Sequence, residues 1–362
     1  MTAVSFLIAF LGFCALIVLH ELGHFTAAKL VGMRVERFSL FFPPLIARKQ
    51  IGETEYAIGA LPLGGYVKIS GMSPAEDLPD DVRTRAYYSQ PVWKRIVVIG
   101  AGPAVNLVLA FLLLLLYFGV YGPTETTNTV KETHKTYPAA GVLHPGDKIL
   151  SVDGKSGDTE ALRKQIETHR CVGRPTDRCK AAEPAKIVIE RDGRRRTLEL
   201  TPVWDAKEDP PRPRLGFGYQ VDNFKVPFSE ATDITVDRFW FVTKETLKLP
   251  AKLIDPEERK QLSGVVGTYE TTRQALLDEP KDAVAILALI SLSLALVNLF
   301  PFLPLDGGHI FWALVELVRR RPVPFHIMER SGVLGFMLVL LIFVIGLSND
   351  IGRLSGDGFS VR

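Results

Sequence analysis

Cysteine is scarce: the 362-residue chain has three, Cys14, Cys171 and Cys179. None forms a C-x-x-C pair and there is no second pair, so the cysteines make a poor zinc site. Cys14 sits in an apolar run and reads as a small buried hydrophobe. Cys171 and Cys179 flank a short polar segment, which can close as a disulfide if it faces an oxidising compartment. An excess of one charge is also lacking. The formal net charge is +3, which gives no case for nucleic acid as a partner. The N-terminus, Met1-Thr2-Ala3-Val4, has no basic segment, and no small-residue cleavage site follows the first apolar run. That run is therefore expected to stay in the membrane as a helix and not to leave as a signal peptide.

What is present in quantity is apolar sequence, 47% of the chain. Four stretches approach the ~20 residues needed to cross a bilayer: Thr2 to Val31, Ile96 to Val120, Ala283 to Leu303 and Gly332 to Leu347. Lys29, Arg34, Arg37, Arg48 and Lys49 follow the first, and Arg83, Arg85, Lys94 and Arg95 precede the second. Arg319, Arg320, Arg321 and Arg330 lie between the third and fourth. Basic residues mark cytoplasmic connections, which puts both termini and the long middle segment outside. The expected fold is a polytopic α-helical membrane protein with four transmembrane helices, a cytoplasmic membrane-associated β-element and an extracytoplasmic β-rich domain. Helix 1 is expected over 1–31, a cytoplasmic loop over 32–95, helix 2 over 96–120 and the β-rich domain over 121–205. A linker with an amphipathic helix covers 206–282 and helix 3 covers 283–310. A cytoplasmic loop over 311–331, helix 4 over 332–348 and an extracytoplasmic tail over 349–362 complete the chain.

The first run contains His20-Glu21-Leu22-Gly23-His24, an H-E-x-x-H pattern. Residues four apart share a helix face, so both imidazoles can turn to one metal. Zn²⁺ accepts neutral imidazole, and Glu21 is placed to act as general base. A short motif of this kind also occurs on ordinary polar helix faces. Three ionisable groups inside an apolar helix are expensive, however, and mark function. A second polar cluster ends the third run: Asn298-Leu299-Phe300-Pro301-Phe302-Leu303-Pro304-Leu305-Asp306-Gly307-Gly308-His309. Helices 1 and 3 run in the same direction, so His20, His24 and Asp306 can meet at one depth. Three protein ligands plus water is the open catalytic arrangement. His309 is a rival third ligand, but it lies nearer the interface, where water can satisfy it. A buried carboxylate at Asp306 needs a cation, which favours Asp306.

The cytoplasmic connection holds Tyr56 to Ile69, a strand-like stretch with turn signals at Pro62 and at Gly64-Gly65. It reads either as a small hairpin or as a β-element dipping beside the site. Gly100-Ala101-Gly102-Pro103-Ala104-Val105-Asn106 opens helix 2 with small residues that allow close helix approach. Asn106 reads as packing glue. The segment Ala140-Gly141-Val142-Leu143-His144-Pro145-Gly146-Asp147-Lys148-Ile149-Leu150-Ser151-Val152-Asp153-Gly154, with a hairpin around Asp192-Gly193, resembles a bacterial PDZ domain. Such domains bind extended chains by strand addition. His134, His144 and His169 read as ordinary surface residues. The Pro-rich link at Asp209 to Pro213 ends that domain. Phe228 to Leu249 reads as an amphipathic helix on the outer membrane surface, and Ser263 to Gly267 as a loop.

Taken together, H-E-L-G-H, P-L-G-G-Y-V-K-I, G-P-A-V-N, a PDZ-like insert and N-x-x-P-x-x-x-L-D-G resemble the site-2 proteases, and among them the bacterial regulator-of-sigma-E protease group. The resemblance implies an intramembrane zinc metalloprotease in the bacterial inner membrane. His20, His24 and Asp306 would bind Zn²⁺ and Glu21 would be the catalytic base. Asn298 and Pro301 would help hold the substrate, and Gly64, Gly65 and Tyr66 would receive it as a strand. The implied substrate is a membrane protein such as an anti-sigma factor, already cut by a first protease, with the PDZ domain as a size filter. There are two departures: one PDZ-like segment where some relatives have two, and Gly264-Val265 where relatives often have Gly-Pro. The rival readings are a silent PDZ-bearing scaffold and a zinc transporter. The intact Glu21 and Asp306 speak against the first, and the single compact polar set against the second.

Overall fold

In a computed structural model of the chain, described residues are 2–61, 64–72, 76–208, 210–253, 255–260, 264, 266–268, 270 and 281–355. Pro62, Asp209, the loop positions Ser263 and Val265, and the tail from Gly356 lie outside them. The strands and the longer helices in chain order are α1 (Thr2–Leu30), β1 (Val35–Leu40), β2 (Phe42–Ile51), β3 (Thr54–Leu61), β4 (Tyr66–Ile69), α2 (Val92–Val120), β5 (Thr124–Thr133), β6 (Lys148–Val152) and α3 (Thr159–Ile166). Then come β7 (Ala185–Arg191), β8 (Arg194–Leu200), β9 (Val203–Asp205), β10 (Arg212–Arg214), β11 (Phe217–Asn223), α4 (Phe228–Leu247), α5 (Asp282–Asn298), α6 (Asp306–Arg319) and α7 (Phe325–Ser355). The chain divides into two units, Tyr121–Val226 and the remainder.

Among the described residues of the larger unit, three helices are long and apolar enough to cross a membrane: Phe10–Leu30, Val92–Val120 and His326–Arg353. The third expected span differs. Helix 3 was expected over 283–310, but α5 stops at Asn298 after 17 residues. That is ~25 Å at 1.5 Å per residue, short of a ~30 Å hydrocarbon core. A turn over 299–305 follows, and a separate helix, α6, starts at Asp306. Pro301 and Pro304 lack the N–H that a helix needs and bias the residues before them away from helix. Gly307 and Gly308 let the turn fold onto the new helix. A β-carbon at Gly307 would lie 2.2 Å from the Leu299 carbonyl oxygen, and one at Gly308 2.4 Å from the Leu303 nitrogen. The cytoplasmic loop expected over 311–331 is therefore mostly helix, and the helix expected over 332–348 is the longer α7.

The segment after α1 forms a four-stranded sheet in the order β2-β3-β1-β4. Of the two readings of the Gly-rich stretch, the small hairpin is not formed. Its two halves, β3 and β4, lie on opposite sides of β1, which pairs β3 in parallel and β4 antiparallel. Glu53, in the turn between β2 and β3, ties the sheet to the end of α1. Arg85 and Lys29 hydrogen-bond its carboxylate and hold its pKa down to about 2. Helix α4, expected flat on the membrane surface, packs against α2 and α5. Phe239 meets Phe111 edge-on at 6.1 Å, and Val242 joins Ala110, Leu292 and Leu296.

The smaller unit is a five-stranded sheet in the order β11-β5-β6-β7-β8. Alternate residues of β7, Ala185, Ile187 and Ile189, are buried with Leu143, Ile149 and Leu162, as a half-buried strand requires. Asp158 caps α3 by accepting from the Ala161 N–H. Asp192 and Gly193 both have positive φ in the β7–β8 turn. Cys171 and Cys179 are disulfide-bonded. The unit runs beyond the expected boundary at 205. β10 pairs with β9, and β11 returns to pair with β5, so the Pro-rich link lies inside the domain.

Candidate metal centre

His20 and His24 project from consecutive turns of α1, both buried, with ring centroids 4.8 Å apart. Their Nε2 atoms are 3.2 Å apart. Asp306, the first residue of α6, places Oδ2 at 3.2 Å from His20 Nε2 and 3.3 Å from His24 Nε2. The Asp306 Oδ2 contacts lack hydrogen-bond geometry, and His20 Nδ1 has no hydrogen-bond partner among the described residues. His24 Nδ1 lies 2.9 Å from the Val98 carbonyl oxygen. A proton on Nδ1, donated there, leaves Nε2 as a bare lone pair. Two imidazole nitrogens and a carboxylate oxygen thus converge without hydrogen-bonding one another in full. Tetrahedral zinc with bonds of 2.0–2.1 Å requires ligand atoms about 3.3 Å apart. The three observed separations fit that requirement. Asp306 also lies at a helix N-terminus, where the dipole favours a carboxylate.

The remaining sequence-derived residues fall into three places. Glu21, partly buried, lies against the start of β4: a β-carbon at Gly65 would be 3.0 Å from Glu21 Cγ and 2.8 Å from the Ser39 carbonyl oxygen. The β-element is therefore beside the metal centre. A β-carbon at Gly64 would lie 2.7 Å from the Phe42 ring. Tyr66 stacks on Phe42 with ring centroids 6.1 Å apart, and its hydroxyl accepts from Arg37 Nη1. Asn298 is the last residue of α5 and Pro301 is exposed in the turn before Asp306. His309 is not in the three-atom cluster. It lines a cavity of about 210 Å³ with Tyr87, Tyr88, Arg95, Trp312 and Glu316.

Sequence reasoning missed what α2 does. Gly102 lies directly on the His24 ring, where a β-carbon would be 2.3 Å from Nε2. Val98 supplies the carbonyl that orients the same ring. The small residues at Gly100-Ala101-Gly102 signalled a close approach, though not which side chain they approach. Asn106, expected to act as packing glue, is fully buried, and neither of its amide atoms has a partner among the described residues. Its backbone oxygen, instead, accepts from Ser291.

The family model described as Peptidase family M50 matches residues 8–342. The chain belongs to peptidase family M50. Among the relatives of this M50 chain is one from Campylobacter jejuni, 30% identical over 98% of this chain and 95% of its own length. Another, from Nostoc, is 31% identical over 93% of each chain. Both carry the name "Putative zinc metalloprotease". Metalloprotease MmpA of Caulobacter vibrioides is 28% identical over 93% of this chain and 92% of its own length. A solved PDZ domain of an SdrC-like protein from Listeria innocua is 20% identical, with a TM-score of 0.21 over 26% of this chain and 94% of that one. This M50 protein is a zinc metalloprotease with apolar helices of membrane-spanning length.

Proposed function

We propose that this M50 metalloprotease hydrolyses peptide bonds within the membrane-spanning segments of single-span proteins. His20, His24 and Asp306 would hold the zinc and Glu21 would be the general base. The observation that carries this reading is the convergence of ligand atoms of His20, His24 and Asp306 within 4.8 Å of one another, with both histidines on the apolar helix α1. Bound zinc supplies Lewis acidity, polarising a carbonyl and acidifying water. Glu21 takes the proton from the attacking water and delivers it to the leaving amine. Gly65, with no side chain, leaves Glu21 room for a substrate backbone. Among the described residues β4 pairs only with β1, at the end of the sheet and with Gly65 beside Glu21, which suits an extended chain added as a strand. A membrane helix must unwind before its carbonyls can be attacked, because they are engaged in helix hydrogen bonds. Asn298 and Pro301, at the turn leading to Asp306, are assigned to holding the unwound segment.

The same reading makes α5 the fourth span and places the termini and the PDZ-like unit outside the bacterial inner membrane, on the strength of the Lys and Arg positions. The substrate class carried over from the family resemblance is an anti-sigma factor already trimmed by a first protease. The test is membrane proteomics comparing wild type with Glu21→Gln. Trimmed single-span proteins accumulating only in Glu21→Gln is the expected result. Identical profiles, with both forms folded and zinc-loaded, would leave a PDZ-bearing scaffold as the better reading.

A further inference from the structure

The metal centre joins helices from opposite ends of the chain, α1 and α6, and α2 touches both. One face of α2 makes these contacts: Arg95, Val98 and Gly102 are spaced by three and four residues, which brings them into line on a helix. Gly102 and Val98 set the His24 ring. Arg95 sets α6. Its side chain is 4% exposed, and Nη1 and Nη2 donate to Oε2 and Oε1 of Glu316 at 2.9 and 2.8 Å. Its guanidinium is also 5.9 Å from the Tyr87 ring centroid and 5.7 Å from that of Tyr88. Glu316 lies on α6, the helix that begins with Asp306.

A buried ion pair is weak evidence for stability, because desolvation offsets most of the attraction. A two-pronged Arg–carboxylate pair does fix distance and orientation together. α6 is one continuous helix, and the pair sets its rotation and height against α2. Those two coordinates decide whether Asp306, at the head of the helix, reaches His20 and His24. We propose that Arg95 and Glu316 are positioning residues of the metal centre, locking α6 where Asp306 completes the ligand set. The proposal rests on His20, His24 and Asp306 being the zinc ligands.

The test uses full-length protein, stripped of metal and reloaded. Zinc affinity is measured by chelator competition, and ligand geometry by the visible absorption of the cobalt-substituted form. The variants are Arg95→Met, Arg95→Lys and Glu316→Gln, beside Asp306→Asn. Arg95→Met and Glu316→Gln should bind zinc roughly 10- to 100-fold more weakly, the range typical of residues that support metal ligands. Their cobalt spectra should move toward that of Asp306→Asn while helix content is retained. Arg95→Lys, which keeps the charge and loses the fork, should fall between. Should Arg95→Met fail to fold, Glu316→Gln and Arg95→Lys decide. Wild-type affinity and spectra in these variants, beside weakened zinc binding in Asp306→Asn, would overturn the positioning role alone. Wild-type zinc affinity in Asp306→Asn would overturn the ligand reading and the positioning role with it.

Discussion

A β-carbon added at Gly102 would lie 2.3 Å from Nε2 of His24, and one added at Gly65 would lie 3.0 Å from Glu21 Cγ. The two clashes fall on different functions, so the two alanine substitutions should separate them. Gly102→Ala displaces a proposed ligand and should weaken zinc binding about tenfold or more, read by metal content after dialysis. Gly65→Ala crowds the proposed base and should keep zinc. Its cleavage rate should drop on the order of 10²-fold, the scale of a 1 Å misplacement. Glu21→Gln should also keep zinc and lose ~10²–10⁴ in rate, whereas His20→Ala and His24→Ala should lose both. At this scale the sequence was legible where chemistry repeats in a fixed pattern. H-E-x-x-H needs only one helix turn to make sense. The glycines that fit against His24 and Glu21 come from other segments, and no local spacing announces the partner.

Elements were legible where their period was strong and their partners were near in sequence. The β7–β8 hairpin around Asp192-Gly193 formed as its turn residues dictate. Non-local pairing was not legible. β11 returns past the Pro-rich link to pair with β5, and β1 separates β3 from β4. The break before Asp306 carried signals in Pro301 and Pro304. The apolar, helically spaced residues after it, from Ile310 to Leu317, were hidden by the basic residues that marked a loop. One ion pair inside the smaller unit gives a pH prediction. Burial raises the Asp147 pKa, but hydrogen bonds from Arg191 and from the His144 N–H outweigh it, and the net shift is downward. A lowered folded pKa gives stability that is present above the unfolded carboxylate value of ~3.9. That stability is lost as pH falls through the folded value. Hydrogen exchange of β6 and β7 in the full chain should therefore lose protection below about pH 4. In Asp147→Asn, protection should already be lower at neutral pH, by ~3 kcal/mol for a broken buried pair, and should respond less to acid. Equal acid sensitivity in both proteins would remove Asp147 from the account.

The whole molecule has a larger unit, whose proposed catalytic parts come from distant parts of the chain, and a β-rich unit inserted between α2 and α4. In the proposed topology, single cysteines placed near Arg320 in a cysteine-free background should be protected from an impermeant thiol reagent, and those near Lys155 should react. Labelling of both from outside would break the four-span reading. Hydropathy made the long helices legible, but the number of spans turns on α5, whose 17 residues fall at the margin. The central claim is that His20, His24 and Asp306 form one zinc site, assembled from α1 and α6. Zinc content by mass spectrometry, measured on Asp306→Asn and His309→Ala purified in parallel with wild type, tests it most directly. The account predicts zinc in wild type and His309→Ala, and its loss from Asp306→Asn. Full zinc in Asp306→Asn, with loss in His309→Ala, would contradict it.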